Sequence, residues 1–248
     1  MAGHSKWANI KHRKAAQDAK RGKIFTRLIK EITVASRMGG GDPDSNPRLR
    51  LAVDKAYGQN MPKDNVERAI KRGSGDLEGV NYEEIRYEGY APGGVAIIVE
   101  AMTDNKNRTA GEVRSILTKA GGSLGETGSV GFMFDHVGII QFEGDKANED
   151  EFFEFALESG ADDVESSEEV HVAFTAMEAF IEARDKLIEK FGDPLSAKIE
   201  WKAKEDLEIA NLEKAQKILK LIDSLEDCDD VQNVYGNYAF SEEVVKEL

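Results

Sequence analysis

The sequence predicts an α+β protein of three domains, an N-terminal helical bundle followed by two α/β sandwich domains. Three observations support this class. Apolar residues recur at helical spacing as far as about residue 75. From Tyr82 onwards, strand-like alternation appears between glycine-bounded helices. The net charge also changes sign between these two parts of the chain, as it does when a binding module is joined to a different body.

The charge difference is large enough to predict a partner. Residues 1–75 contain 17 Lys and Arg against 7 Asp and Glu, a net charge of +10, whereas residues 76–248 carry a net charge of −24. The overall charge of −14 therefore conceals a basic segment. Because concentrated cations attract phosphate at long range, we expect nucleic acid as the partner of residues 1–75.

Membrane and secreted classes are excluded at this stage. The longest apolar run, Val95–Val99, is too short to span a bilayer, and no apolar run follows the charged N-terminus. The single cysteine, Cys228, excludes a disulfide framework and a cysteine-based zinc site. We expect a cytoplasmic protein with no membrane partner.

The first 37 residues contain ten cations and two acids, so most of the cations have no acidic neighbour in sequence. Such cations bind phosphate through counterion release. Trp7 either stacks on a base or packs on a neighbouring helix. The predicted nucleic-acid-binding residues of this segment are Lys6, Trp7, Lys11, His12, Arg13, Lys14, Lys20, Arg21, Lys23 and Arg27.

Three helices are predicted in the rest of the basic module: residues 23–37, a helix starting at Pro47, and a helix from Pro62 to Gly73. The short turn between the last two is compatible with a helix-turn-helix, although any small bundle contains such a turn. In that interpretation the side chains facing nucleic acid are Lys63, Asn65, Arg68, Lys71 and Arg72.

The acidic part predicts two sandwich domains. The expected elements outside 137–206 are strands at 85–90, 95–100, 130–134 and 231–235 and helices at 108–120 and 212–225. Residues 76–136 alone hold too few elements for a stable sandwich, so we expect residues 207–248 to complete this domain. Residues 137–206 have the βαββαβ order of a ferredoxin-like domain, inserted into the other. His171 is expected at the surface of one of its strands.

The segment Thr103–Thr109 has two interpretations. Asn107 is a candidate helix N-cap and Asn105 a turn former. The same amides, together with Arg108, are donors suited to contacting phosphate or bases. Both interpretations can hold, and Asn105, Asn107 and Arg108 are therefore predicted nucleic-acid-binding residues.

No catalytic constellation is found. Gly121–Gly125 matches G-x-S-x-G, but a helix precedes it where a nucleophile elbow needs a strand. The four histidines show no ligand spacing. The acidic run at 223–230 is either a cation site, a solvated helix end or an intramolecular partner for the basic module. We expect no enzymatic activity, no cofactor and no metal.

Four segments together resemble the YebC family: Ala2–Lys14, Gly39–Arg50, Tyr87–Gly94 and Thr103–Thr109. The similarity extends to about residue 231. It implies a three-domain cytoplasmic protein without known enzymatic activity. It also implies a role in gene expression, since some members resemble DNA-binding regulators, while others act in translation, including relief of ribosomes stalled on proline-rich sequence. We therefore expect a transcriptional regulator that binds DNA. The alternative is a translation factor that binds ribosomal or transfer RNA.

Overall fold

The computed structural model describes residues 21–248, and all structural statements below concern this range. The helices are α1 (Arg21–Gly39), α2 (Pro47–Gly58), α3 (Lys63–Ser74), α4 (Lys106–Lys119), α5 (Glu149–Ser159), α6 (Phe180–Phe191), α7 (Leu212–Glu226) and α8 (Glu242–Glu247). The strands are β1 (Glu83–Ala91), β2 (Val95–Thr103), β3 (Ser123–Leu124), β4 (Phe134–Glu143), β5 (Asp163–Ser166), β6 (Val170–Thr175), β7 (Ser196–Ala203), β8 (Leu207–Ile209), β9 (Val231–Gly236) and β10 (Tyr238–Phe240). None of these helices is long and apolar enough to cross a membrane.

The chain forms two compact units. In the described range, one comprises residues 21–130 and 213–236, and the other comprises residues 131–212 and 237–248. The three-domain boundaries expected from the sequence stay a prediction.

Helices α1, α2 and α3 form a small bundle in the first unit, as predicted. Asn46 fixes its geometry, because its Oδ1 caps α2 by accepting from the backbone of Leu49 while its Nδ2 donates to the carbonyl of Ala35 in α1. The hydroxyl of Ser36 donates to the carbonyl of Ile70, which links α1 to α3. The buried core contains Leu28, Ile32, Ala35, Leu49, Ala52, Val53, Ala56, Met61, Val66 and Ala69.

The sheet of the first unit has the strand order β3-β1-β2-β9, and all of its pairs are antiparallel. The predicted hairpin is confirmed and is longer than expected, since β1 and β2 pair from Glu83 with Thr103 to Ala91 with Val95. Strand β9 pairs with β2 although more than 120 residues separate them in the chain. The sheet is therefore completed by a segment that follows the second unit's β4–β7 sheet in sequence.

The second unit contains the predicted ferredoxin-like arrangement. Strands β5-β6-β4-β7 form an antiparallel sheet in the order that a split βαβ fold requires, with α5 and α6 as its two helices. This confirms the α+β class. The separate strand expected at residues 130–134 is wrong, because Gly131–Met133 is one turn of 3-10 helix that leads directly into β4.

The expectation for His171 is also wrong. It is 2% exposed, and its ring stacks on Phe152 of α5 with 4.8 Å between the ring centroids. Its Nδ1 lies 2.9 Å from the hydroxyl of Ser166 and its Nε2 lies 2.9 Å from the carbonyl of Ala147. Strand β6 is the second strand from the sheet edge and is covered on both faces, so alternation along it does not separate core from surface.

Candidate nucleic-acid interface

The cations of α1 face an acidic segment of the same unit. We call Glu226–Asp230, which joins α7 to β9, the acidic turn. The ammonium of Lys23 lies 3.2 Å from the Oδ1 of Asp227 and donates to the carbonyl of Asp227 at 2.8 Å. The guanidinium of Arg27 donates to the carbonyl of Glu226. These two predicted phosphate ligands are therefore held by carboxylate and carbonyl oxygens.

Lys30 is the most deeply buried of the α1 cations. Its side chain and that of Asp230 are each only 7% exposed, and their charged atoms lie 2.9 Å apart. The same ammonium donates to the carbonyls of Asp229 at 2.9 Å and Met102 at 3.3 Å. All three of its donors are thus used, which is the condition for burying a lysine charge.

The other oxygen of Asp230 collects donors from the sheet side. Its Oδ2 accepts from Arg108 at 2.7 Å, from the hydroxyl of Thr109 at 2.7 Å and from that of Thr103 at 3.1 Å. Burial alone raises the pKa of the Asp230 carboxyl, but hydrogen bonds from Arg108, Lys30 and Thr109 outweigh it and hold the pKa well below its usual range. Asp230 therefore links α1 to the end of β2 and the start of α4.

This arrangement changes the interpretation of the Thr103–Thr109 loop. Asn105, not Asn107, is the N-cap of α4, because its Oδ1 accepts from the backbone N–H of Arg108 at 3.1 Å. The guanidinium of Arg108 is held by Asp104 and Asp230 at 2.7 Å each. Asn107 is exposed in the first turn of α4. The structure thus gives Asn105 and Arg108 structural partners, and whether this loop also touches nucleic acid stays a prediction.

The corrected cap makes a direct prediction. Asn105→Ala is expected to lower the free energy of unfolding by about 1 kcal/mol, because the backbone N–H of Arg108 loses its acceptor. Asn107→Ala is the matched control and should change the stability by less than about 0.5 kcal/mol, as exposed substitutions do. Urea unfolding of both variants provides the measurement. Equal losses would contradict the assignment of Asn105 as the cap.

Helix α3 presents a different kind of cationic surface. Its buried residues Val66, Ala69 and Gly73 lie on one side, which leaves the cations on the opposite side exposed. We call Lys63, Arg68, Lys71 and Arg72 the basic face of α3. Lys71 and Arg72 form no ion pair with any residue of the 21–248 range.

The other cations near this face are weakly engaged. Lys63 lies 3.7 Å from Glu67 with 76% of its side chain exposed. Arg68 donates to the amide oxygen of Asn65 at 2.7 Å. Arg37 of α1 is exposed and donates to the carbonyl of Val80 at 3.4 Å.

The remaining predicted residues are placed as follows. Lys6, Trp7, Lys11, His12, Arg13, Lys14 and Lys20 lie outside the described residues. Arg21 is the first residue of α1. The sequence argument named the α3 cations only through the helix-turn-helix interpretation, although their exposure follows from the apolar spacing of that helix.

Other chemistry finds little support in the described range. No group of three His, Cys, Asp or Glu residues there is arranged to hold a metal ion. Ser123 of the G-x-S-x-G match lies in β3 directly after α4, which is the reverse of a nucleophile elbow. Burial, with Glu112 and Asp230 nearby, raises the pKa of the Cys228 thiol to about 11, so the thiolate form is scarce at neutral pH.

Comparison with known proteins decides the family. A family model described as the TACO1/YebC protein N-terminal domain matches residues 5–76, and a second, described as the TACO1/YebC second and third domain, matches residues 82–238. The chain belongs to the TACO1/YebC family. The resemblance drawn from the four sequence segments is thereby confirmed.

Relatives within the TACO1/YebC family match the whole length of the chain. A protein of Geobacter sulfurreducens named "probable transcriptional regulatory protein" is 56% identical over all of both sequences. A protein of the same name from Nitrosomonas europaea is 59% identical over 95% of this chain and 97% of its own. The crystal structure of a conserved hypothetical protein from Aquifex aeolicus has a TM-score of 0.83 and 48% identity, covering 92% of this chain and 93% of that one.

Proposed function

We propose that this protein is a non-enzymatic regulator of gene expression that binds DNA through the basic face of α3. The observation that carries the proposal is the contrast between two sets of cations. Lys23, Arg27 and Lys30 are held by the acidic turn, whereas Lys71 and Arg72 are exposed and without an ion pair in the described range. Free cations release counterions when they meet phosphate, and cations already paired gain less.

The names of the relatives support the regulatory part of the proposal. Proteins that match the full chain at 54–56% identity are named probable transcriptional regulatory proteins. In the DNA-binding form, α2, the turn at Gln59–Pro62 and α3 act as a helix-turn-helix, with α3 in the major groove. Arg68 and Arg72 then provide the guanidinium groups that read guanine edges, and Lys71 contacts phosphate.

A specific observation favours RNA as the second candidate. Asn65, the amide of α3 best suited to reading adenine, is bonded to Arg68, which leaves this face rich in charge and poor in free amides. Such a surface suits recognition of a backbone by its shape, as in structured RNA. In this alternative the protein is a translation factor that contacts ribosomal or transfer RNA.

The double variant Lys71→Ala/Arg72→Ala tests the proposal. We expect its affinity for a DNA duplex to fall and the slope of log K against log salt to decrease by about 2, one unit for each lost phosphate contact. Fluorescence anisotropy of a labelled duplex at several salt concentrations gives both quantities. A stem-loop RNA of equal length, titrated in parallel, separates the two candidates.

The matched control is Lys220→Ala/Lys246→Ala, which removes the same charge from exposed positions on α7 and α8. It should leave the slope unchanged. If both double variants lower the slope equally, the binding is unspecific attraction and the α3 proposal is wrong. If Lys71→Ala/Arg72→Ala binds like the unmodified protein, the basic face of α3 is not the contact surface.

A further inference from the structure

We propose that the outer side of α5 is a docking surface for a basic amphipathic helix of a protein partner. Two large apolar side chains on this helix are exposed, Phe153 at 47% and Leu157 at 41%. The residues that anchor α5 to its sheet, Phe152 and Ala156, are completely buried. Phe153 and Leu157 are thus an addition to the core-facing side of the helix, and no described residue covers them.

The spacing of these residues forms a recognisable pattern. Phe153 and Leu157 are four residues apart, so they lie one above the other on neighbouring turns. Asp150, Glu154 and Glu158 follow the same spacing and are all exposed. An apolar row therefore lies directly beside a row of carboxylates along the length of α5.

The surrounding sequence strengthens the negative potential of this surface. From residue 147 to residue 183 there are twelve Asp and Glu and no Lys or Arg. Asp150, Glu154 and Glu158 form no ion pair with any residue in the described range. Nucleic acids and anionic membranes are repelled by this surface, so the fitting occupant is a cationic polypeptide.

The opposite side of the same helix shows what such an occupant supplies. There, Lys190 of α6 lies 3.3 Å from the carboxylate of Glu151, and its ammonium lies 4.3 Å from the centroid of the Phe155 ring. A single cation thus pairs with a carboxylate and covers an aromatic ring. The Phe153 side has the same combination of ring and carboxylates but no cation from this chain, so a partner's Lys or Arg completes it.

The recognition chemistry follows from these two rows. A partner helix with Leu or similar residues at i and i+4 covers Phe153 and Leu157, and Lys or Arg in its adjacent row meets the carboxylates. Apolar contact at the centre supplies most of the affinity, and the charges set the orientation and the rate of association. This inference is independent of the nucleic-acid proposal, because it uses a different unit of the molecule.

The test uses the full chain and a labelled synthetic peptide of about 15 residues, the length at which isolated helices become marginally stable. The peptide carries Leu at i, i+4 positions in one row and Lys in the next. We expect Phe153→Ser/Leu157→Ser to weaken binding about tenfold or more, the effect of losing a hot spot. Asp150→Asn/Glu154→Gln/Glu158→Gln should weaken binding and reduce its salt dependence.

Two controls keep the test specific. Tyr57→Ser/Leu77→Ser removes apolar residues of similar exposure, 44% and 42%, from other positions. Glu205→Gln/Glu208→Gln/Glu243→Gln removes the same charge from other exposed sites. Binding unchanged in these controls supports the α5 surface. The proposal is overturned if Phe153→Ser/Leu157→Ser binds normally, if the controls lose as much, or if a peptide with Ser in place of Leu binds equally well.

Discussion

Asp230→Ala is expected to lower the free energy of unfolding by about 3–5 kcal/mol, the range for removing one partner of a buried ion pair. The physical reason is that Lys30, 7% exposed, keeps its charge in the interior with only two carbonyl oxygens as partners. Thr103 and Thr109 lose their shared acceptor in the same substitution. Equilibrium unfolding in urea measures the change.

Two comparisons isolate the cause. Asp223→Ala removes an exposed carboxylate from α7 and is expected to change the stability by less than about 0.5 kcal/mol. Replacing both members, as Lys30→Met/Asp230→Leu, should recover part of the loss, because no buried charge is left unpaired. An Asp230→Ala loss no larger than that of Asp223→Ala would contradict the described cluster.

The same carboxyl predicts the pH dependence of stability. Its folded pKa lies below the unfolded value of about 3.9, so the Asp230 contribution is fully present above that value. Below it the unfolded chain binds a proton that the folded chain does not, and stability falls with pH towards the folded pKa. Asp230→Asn should therefore show a shallower loss of stability below about pH 4 than the unmodified protein.

The second large effect is expected at the contact between α1 and α3. A Cβ at Gly73 would lie 2.3 Å from the backbone oxygen of Thr33 and 2.6 Å from the Cβ of Ser36. Gly73→Ala is therefore expected to cost about 3 kcal/mol, at the upper end for overpacking, because a backbone atom cannot rotate away. It should also weaken nucleic-acid binding, since Arg72 is the adjacent residue.

Gly111→Ala is the matched control for Gly73→Ala. It also lies inside a helix, α4, but a Cβ there meets nothing within 4 Å. Alanine should raise the stability by about 0.5–1 kcal/mol through its better helix propensity. Thermal unfolding of both variants decides the matter, and a neutral Gly73→Ala would show that the two helices do not approach as closely as described.

Local patterns in the sequence predicted much of this fold. The apolar spacing at Leu28 and Ile32, with Pro47 at a helix start, located the bundle, and the order of elements between 137 and 206 identified the ferredoxin-like unit. Strand β5 escaped this procedure, because four residues with acids at Asp163 and Glu165 show no apolar alternation. His171 was misplaced because it satisfies its ring nitrogens inside the core.

The site was harder to predict than the fold. The pairing of Lys30 with Asp230 joins residues 200 positions apart, and charge counts within the first 37 residues contain no information about it. The sequence offered an intramolecular partner for the basic module as one of three interpretations of the acidic run. The structure selects it for Lys23 and Lys30, and it thereby moves the search for phosphate ligands from α1 to α3.

The measurement that tests the central claim most directly is ultraviolet crosslinking in living cells, followed by sequencing of the attached nucleic acid, for the unmodified protein and for Lys71→Ala/Arg72→Ala. The account predicts fragments concentrated in a few promoter regions, with recovery reduced in the variant and retained in Lys220→Ala/Lys246→Ala. Fragments concentrated in ribosomal or transfer RNA, with the same dependence on Lys71 and Arg72, would support the translation alternative. Equal recovery from all three proteins, or none from any, would contradict the claim that the basic face of α3 binds nucleic acid.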